Sequence, residues 1–411
     1  MKKCVIKMKK IYRYITCLVL VLSVVGCRKS DLPTPIVYGE RTIFVYMAAD
    51  NNLSSYAQRD LEKMKAGMAQ VDSKSHLVVY ADIRGREPQL LQITSDTIRV
   101  VEQYEEENSA SVEVFSQKWA RVRQLFPSDS YGMVLWSHAS GWVPAGVLLK
   151  STPKSSVGSS VGDFVGEGIW SRDPNALLTK WFGQDGSDFM EISDLAAALP
   201  KNRELEFVVF DACFMSNVET LYDLRYTTKY VLASASELLA EGIPYNKVLP
   251  ELFAATPRLE QFCRLFMEFH EQSNLDYAMI SLVQMDQMEA LAAAAKAFYA
   301  TADPAAVDLD DVQYLENMSS HVFFDMEDYY VRMPGDSVLR TDFVEQLGRT
   351  VRYADSTPYV YSAYSGSSNH LIKVNANSGL STYVPREAEG LELLQSAYLE
   401  TSWAKALGIS Y

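Results

Sequence analysis

Cysteine is scarce in this 411-residue sequence, which contains only five. Cys4, Cys17 and Cys27 all lie within the first 27 residues, so Cys213 and Cys263 are left for the rest of the chain. Two cysteines cannot build the disulfide framework that stabilises many small secreted domains. A single bridge between Cys213 and Cys263 stays open at this point, and it would remove both thiols from any chemistry.

Positive charge is also in the minority, with 38 Lys+Arg against 52 Asp+Glu. Six basic and no acidic residues lie in residues 1–26, so the remainder carries 32 basic and 52 acidic residues, a net charge of −20. Such a surface repels phosphate backbones and anionic lipid headgroups. We therefore expect no nucleic-acid partner, whereas cationic substrates are favoured.

Motifs for metals and phosphates are missing as well. The sequence has no His-Glu-x-x-His segment and no Cys/His cluster, which argues against a catalytic zinc site. The glycines of Ser151–Ser171 do not follow a strand and open a helix, as a phosphate-binding loop requires. We expect no metal and no cofactor, and we interpret Ser151–Ser171 as a long exposed loop.

The first 26 residues have the pattern of a signal peptide. A basic stretch precedes the apolar run Ile15–Val25, which at roughly 11 residues is too short to span a bilayer. Gly26 followed by Cys27 resembles the lipobox at which bacterial lipoproteins are cleaved and acylated on the cysteine; ordinary signal cleavage nearby is the alternative. We predict a lipoprotein signal peptide over residues 1–26, then a lipid anchor and tether over 27–40. The protein would thus be anchored through Cys27 to the bacterial cell envelope, periplasmic or surface-exposed.

Strand and helix signals alternate between residues 41 and 245. Short apolar runs favour strands buried on both faces at Thr42–Ala48, Leu77–Ala81, Tyr131–Trp136, Glu206–Phe210 and Tyr230–Ala233. Helical patterns occupy Asn52–Gln70, Ser116–Phe126, Ile192–Leu199 and Asn217–Arg225. The alternation predicts an α/β fold in which helices cover a mostly parallel central sheet.

The pattern changes to longer helices after residue 245. Helices are predicted at Val248–Ser273, Gln284–Ala302 and Asp342–Tyr353, and strands at Tyr359–Tyr364, Asn369–Val374 and Leu380–Val384. We therefore predict a core over residues 41–245 and a C-terminal helical and β extension over 246–411 that packs on it.

Two reactive side chains follow predicted strands just beyond their carboxyl ends. His138 lies two residues after Trp136, and Cys213 lies three residues after Phe210. The carboxyl ends of parallel strands meet at one edge of a sheet, where a thiol and an imidazole would form a nucleophile and base pair. Taken singly, each residue is better explained by an ordinary structural place in the core.

The neighbouring residues extend this hypothesis. A helix is predicted soon after Cys213, and the amides at its N-terminus would stabilise a thiolate. Gly141 gives a tight turn after His138, so backbone amides from this turn and from Cys213 would hold an oxyanion.

Several segments carry a family resemblance. Trp136–Trp142 (WSHASGW) resembles the W-N-H-G-x-G-W segment of clostripain-like cysteine peptidases (family C11, clan CD), and Phe210–Glu219 (FDACFMSNVE) is similar to their F-D-A-C-L-M-x-x-V-E segment. Further matches lie at Tyr46–Leu53, Ala233–Tyr245 and Gly379–Pro385. Two departures occur: Ser137 replaces Asn, and Ala139 replaces the usual Gly.

The resemblance implies a caspase-like three-layer sandwich and an extracytoplasmic cysteine endopeptidase that cleaves after Arg or Lys. In this mechanism Cys213 attacks the carbonyl and forms an acyl-enzyme. Backbone N–H groups of Ala139 and Cys213 stabilise the oxyanion, and His138 protonates the leaving amine. Some relatives use calcium, which the residues of this chain neither support nor exclude.

Substrate contacts follow from the same resemblance. It places Asp211 at the base of the pocket for the residue before the cut, with Glu237 and Glu241 as weaker candidates in a bordering loop. The alternative for Asp211 is to cap the helix that follows.

Self-cleavage between the catalytic histidine and cysteine is also implied. The candidate sites are Lys150 and Lys154, with Arg172 and Lys180 behind them. Two other functions remain open, namely a catalytically silent surface binding lipoprotein with the C11 fold, and a cysteine acyltransferase or transpeptidase that uses the same pair.

The lipid anchor can be tested directly. Radiolabelled fatty acid should enter the wild-type chain and be absent from Cys27→Ser, because the serine hydroxyl does not replace the thiol in this modification. The variant should then move to the aqueous phase of a detergent separation. Equal labelling and equal partitioning of both proteins would rule out the anchor.

Overall fold

The computed structural model describes residues 36, 38–144, 183–186, 188–318, 320–364, 369–386 and 391–409. The predicted leader, Cys27 and most of the tether lie outside these residues, as do Ser151–Ser171 and all four candidate cleavage sites. Among the residues described, no helix combines the length and the apolar character needed to cross a bilayer.

Fifteen strands occur in the described ranges. They are β1 Gly39–Ala49, β2 His76–Ile83, β3 Gln89–Ile93, β4 Ile98–Gln103, β5 Ser128–Trp136, β6 Gln184–Asp185, β7 Asp188–Phe189, β8 Leu205–Asp211, β9 Thr228–Ala233, β10 Met279–Gln284, β11 Phe324–Asp325, β12 Val351–Ser356, β13 Tyr359–Tyr361, β14 Leu371–Lys373 and β15 Ser381–Thr382.

Nine of these strands form one sheet, in the order β12-β10-β9-β8-β5-β1-β2-β3-β4. The five central strands β9, β8, β5, β1 and β2 are parallel, whereas β10 and β12 on one side and β3 and β4 on the other are antiparallel. All eight residues of β2 are buried, as are nearly all of β1, so these strands read as continuous apolar runs.

The helices lie against both faces of this sheet. They are α1 Ser54–Met68, α2 Val112–Leu125, α3 Ile192–Ala198, α4 Val218–Leu224, α5 Tyr245–Phe253, α6 Leu259–Glu271, α7 Met288–Tyr299, α8 Met326–Arg332, α9 Ser337–Thr350, α10 Glu392–Glu400 and α11 Ser402–Leu407. Single 3₁₀ turns occur at Met285–Gln287, Pro304–Ala306 and Leu309–Asp311.

Side-chain contacts of neighbouring strands show the two faces. Tyr46 of β1 packs against Phe115 of α2, while the next residue, Met47, pairs with Trp136 of β5. Trp136 donates from its indole N–H to Asp60 of α1 at 2.9 Å. Because successive strand residues point to opposite faces, α1 and α2 cover opposite sides of the sheet, which confirms the predicted three layers.

The predicted core strands and helices are all present, with small shifts at their ends. Differences occur mainly after residue 245, where the predicted helix Val248–Ser273 is two helices, α5 and α6, separated by a segment that contains Pro257. Neither β10 nor the hairpin β3-β4 was predicted, although Gln284, the last residue of β10, was expected to begin a helix. β10 and β12 extend the core sheet, so described residues before and after position 245 contribute to the same sheet.

Cys213 and Cys263 are both buried and are not joined by a disulfide, so the bridge left open above is not formed. Cys263 lies in α6 with no exposed surface. Burial raises the pKa of this thiol well above its usual value, which makes it inert as a nucleophile.

The C-terminal residues fasten the segment that follows Cys213. The backbone N–H of Ser381 donates to the carbonyl oxygen of Ser216 at 2.9 Å. One carboxylate oxygen of Glu219, in α4, accepts from the N–H of Tyr383 at 2.8 Å and from the hydroxyl of Thr382 at 3.0 Å. This carboxyl is fully buried, and burial raises its pKa to about 7.

Glu219 should make the stability of the fold depend on pH. Its folded-state pKa is raised above the reference value of 4.5, so its contribution is fully present below that value and is lost as the pH rises towards 7. The loss amounts to about 3 kcal/mol, taking about 1.4 kcal/mol for each pH unit. Glu219→Gln keeps the acceptor without the charge. The gap between thermal unfolding midpoints at pH 5 and pH 8 should therefore shrink in this variant, and an unchanged gap would contradict the argument.

Candidate active site

The pairing of β5 with β8 brings the two reactive residues together. These strands are parallel, and their last paired residues are Trp136 and Asp211. His138 and Cys213 each lie two residues beyond that pair, at the same edge of the sheet. Neighbouring strands are about 4.8 Å apart, so the two residues follow adjacent strand ends, which is the placement that the sequence predicted.

The two loops touch directly after the strand ends. Gly141 has φ +62°, and a Cβ there would meet Asn217 Nδ2 at 2.7 Å and Phe214 O at 2.9 Å. Phe214 itself has φ +56°, which is uncommon for a residue with a large side chain, and its ring stacks on Phe323 at 4.5 Å. Such strained backbone is concentrated at functional sites.

Cys213 is only 1% exposed, and its thiol bonds to both the backbone N–H and the backbone carbonyl of Leu238. The N–H of Leu238 donates to Sγ at 3.1 Å, and Sγ donates to the Leu238 carbonyl at 3.6 Å. α4 begins five residues after Cys213, and Asn217 caps it by accepting from the N–H of Thr220. The amide that approaches the sulfur is therefore in the loop after β9, where sequence analysis did not predict one.

This loop also contains Glu237 and Glu241, the weaker candidates for substrate contact. Glu237 is buried, and its Oε1 accepts from Ser362 Oγ at 2.6 Å and from the N–H of Ala363 at 2.8 Å. Glu241 is half-buried, and its backbone carbonyl accepts from Lys63. Glu237 thus fixes the loop that contacts the thiol, and contact of either carboxylate with substrate stays a prediction.

His138 is 5% exposed and contacts a residue that sequence analysis did not single out. Its Nε2 lies 2.6 Å from Oδ1 of Asn52, in the turn after β1. Ser137, one of the two departures from the family pattern, donates to the carbonyl of Ala48 at 2.7 Å. Ser137 therefore ties β5 to β1, and Ala139 is buried beside it. The sequence feature that could have indicated Asn52 is the pair Asn51-Asn52, which lies a few residues after the predicted strand Thr42–Ala48.

Asp211 has no exposed surface and accepts from the hydroxyl of Tyr245 at 2.8 Å through Oδ2. Burial and the charge of Asp211 raise the pKa of Tyr245 well above its usual value, so this hydroxyl stays a donor. The alternative in which Asp211 caps the next helix is not needed, because Asn217 fills that position.

Within the described ranges, no three His, Cys, Asp or Glu side chains are placed to hold a metal ion.

The close approach of the two loops can be tested at Gly141. Gly141→Ala should lower the thermal unfolding midpoint, because a β-carbon costs about 1–2 kcal/mol at positive φ and also collides with Asn217 and Phe214. Gly85→Ala is the matched control, since Gly85 has φ +79° and nothing within 4 Å of the added carbon. The Gly141 variant should lose clearly more stability and should alter the alkylation rate of Cys213. Equal effects of both changes would mean that the loops are not in contact.

Known structures of similar fold share this arrangement of strands and helices. The chain is 30% identical to an inactive zymogen C11 protease from Parabacteroides distasonis, covering 92% of this chain and 99% of that one with a TM-score of 0.74. It is 26% identical to a secreted C11 cysteine protease from Bacteroides thetaiotaomicron in complex with an irreversible peptide inhibitor, covering 90% and 99% with a TM-score of 0.73. A further secreted C11 cysteine protease from that organism, iotapain, shares the fold at 22% identity, 90% and 100% coverage and a TM-score of 0.74.

Sequence comparison gives the family. Among curated protein sequences, none matches the chain significantly. The model of the peptidase C11 clostripain family matches residues 45–152 and 165–407, which is most of the chain. The chain therefore belongs to the clostripain family of peptidases, C11, and is a cysteine endopeptidase.

Proposed function

We propose that this peptidase acts outside the cytoplasm, held on the cell envelope through Cys27, and cleaves peptide bonds after Arg or Lys with Cys213 as nucleophile and His138 as its proton-transfer partner. The observation that supports the pair best is the register of β5 and β8, which ends in Trp136 opposite Asp211. Both reactive residues follow that pair at the same distance.

The chemistry follows from these positions. Cys213 Sγ gives its proton to His138 and attacks the substrate carbonyl carbon, and the carbonyl oxygen becomes an oxyanion held by the backbone N–H groups of Ala139 and Cys213. His138 then returns the proton to the leaving amine as the C–N bond breaks. Water attacks the resulting thioester, and the acid product leaves with the thiol restored.

Specificity for a basic residue rests on Asp211. Its carboxylate is buried two residues before Cys213 and accepts a hydrogen bond from the neutral phenol of Tyr245. An arginine guanidinium can meet a carboxylate in two parallel hydrogen bonds, with lysine second as a point charge. The net charge of −20 outside the leader also attracts basic substrates.

Activation by self-cleavage is part of the proposal. Cys213 and His138 are both buried, which fits a chain that must open before a substrate can reach the thiol. The Parabacteroides distasonis relative is described as an inactive zymogen. Lys150 and Lys154 remain the candidate sites, in the segment between the two catalytic residues that lies outside the described residues.

Substrate charge gives the decisive test. Protein beginning at residue 28 should cleave peptides after Arg, and Asp211→Asn should lower kcat/KM for them by about 30-fold or more, because truncating one partner of a desolvated charge pair costs at least about 2 kcal/mol. The rate at which iodoacetamide labels Cys213 should change far less. A preference for an acidic or apolar residue before the cut, or full activity of Asp211→Asn on Arg peptides, would refute the assignment.

The control is Cys213→Ala, which should be inactive and should stay a single chain while the wild type matures into two fragments. A wild type that cleaves nothing and retains bound peptide would indicate a silent binding protein. Products that carry an added amine in preference to water would indicate an acyltransferase.

A further inference from the structure

We propose that Asn52 is a positioning residue for His138: its side-chain oxygen accepts the hydrogen on Nε2 and thereby reserves Nδ1 for exchange of the proton with Cys213 and with the leaving amine. The inference rests on the proposed pair of catalytic residues. It adds a third residue, which touches neither the substrate nor the reacting atoms.

Asn52 lies on the third of three adjacent strand ends. β1 pairs with β5 in parallel, with Met47 opposite Trp136, and Asn52 follows in the turn that leads into α1. β5 and β8 supply His138 and Cys213 from the neighbouring positions. The order of strands in the sheet therefore places the imidazole between the asparagine and the thiol.

The preceding residue holds the turn rigidly. Asn51 is buried, and its Nδ2 donates to the carbonyls of Ala48 at 3.1 Å and Gln184 at 3.0 Å. Its Oδ1 accepts from the N–H of Leu53 at 2.9 Å. All three bonds go to backbone groups, and none of them reaches the imidazole.

The contact between Asn52 and His138 determines which ring nitrogen of His138 carries a hydrogen. A carbonyl oxygen only accepts, so at 2.6 Å from Oδ1 the Nε2 atom of His138 carries a hydrogen in both the neutral and the charged ring. The proton that is gained and lost during catalysis must then be on Nδ1. In proteins, the hydrogen bond made by one ring nitrogen of a histidine commonly determines whether the other nitrogen is protonated.

Asn52 does not cap the helix that follows it. An asparagine before a helix often caps it, but the N-cap of α1 is Leu53 and no side chain caps that position. The turn is instead held by the neighbouring Asn51. Asn51 therefore bonds to backbone groups, whereas Asn52 bonds to the imidazole.

The tautomer can be observed without any peptidase activity. Full-length Cys213→Ala with ¹⁵N-labelled histidine should show the neutral His138 ring protonated on Nε2, with the signal assigned by its absence from His138→Gln in the same background. Adding Asn52→Ala should produce a mixture of both tautomers. A ring protonated on Nδ1 in the presence of Asn52 would overturn the proposal.

Kinetics of the full chain give the functional readout. Asn52→Ala should lower kcat by about 10- to 100-fold, the effect of removing a hydrogen bond to a charged group, with little change in KM. The alkylation rate of Cys213 should fall off at a lower pH on the alkaline side of its pH profile, because the imidazolium loses the oxygen that accepts its Nε2 hydrogen. The pH range of rapid alkylation should therefore narrow. Asn52→Asp should restore the acceptor and move the alkaline limb of the profile to higher pH than in the wild type.

Asn51→Ala is the matched control, since it removes the same group one residue away. It should lower the unfolding temperature and leave the limbs of the pH profile in place. Unchanged limbs in Asn52→Ala, or a loss of activity that follows a lowered unfolding temperature and is not restored by Asn52→Asp, would assign Asn52 a structural role only. If the wild type cleaves no peptide but the tautomer and the alkylation profile respond as expected, the peptidase assignment fails while the positioning role of Asn52 is supported.

Discussion

The parallel pairing of β5 with β8 is the constraint on which the site depends. It places Trp136 opposite Asp211, and the strand ends then deliver His138 and Cys213 to one edge of the sheet. Side chains alternate between faces along a strand, so a slip of one residue in either strand would turn the strand's buried residues to the opposite face and shift its loop relative to the other. The fully buried interior of both strands fixes the register, and catalytic geometry follows from core packing.

The C-terminal part of the chain contributes to this geometry without supplying the reactive groups. Residues 379–383 bond to the loop and helix after Cys213, through Ser216 and Glu219. Ser362 and Ala363 hold Glu237, whose neighbour Leu238 bonds to the thiol. The backbone around Cys213 is thus held from two sides by segments distant in sequence.

Sequence patterns predicted the five parallel strands of the large sheet and missed its four antiparallel strands, β3, β4, β10 and β12. β5 and β8 are continuous apolar runs, whereas all residues of β4 and β12 are half-buried or exposed and carry charges that break the pattern. Strand ends predicted the places of His138 and Cys213, because topology alone determines them. The contacts of Asn52 and of the Leu238 amide depend on the path of individual loops, and hydrophobic periodicity contains no information about such paths.

Electrostatics at the site explain why a neutral side chain contacts the imidazole. In the proposed mechanism Cys213 becomes a thiolate in a buried site, where the imidazolium of His138 would balance its charge. A carboxylate in place of the Asn52 amide would hold that imidazolium more strongly, but the ring must later give its proton to the leaving amine. An amide oxygen orients the ring with a hydrogen bond and adds no charge. In the mechanism that we propose, the imidazole can therefore accept the proton in one step and release it in the next, beside the carboxylate proposed to bind a cationic substrate.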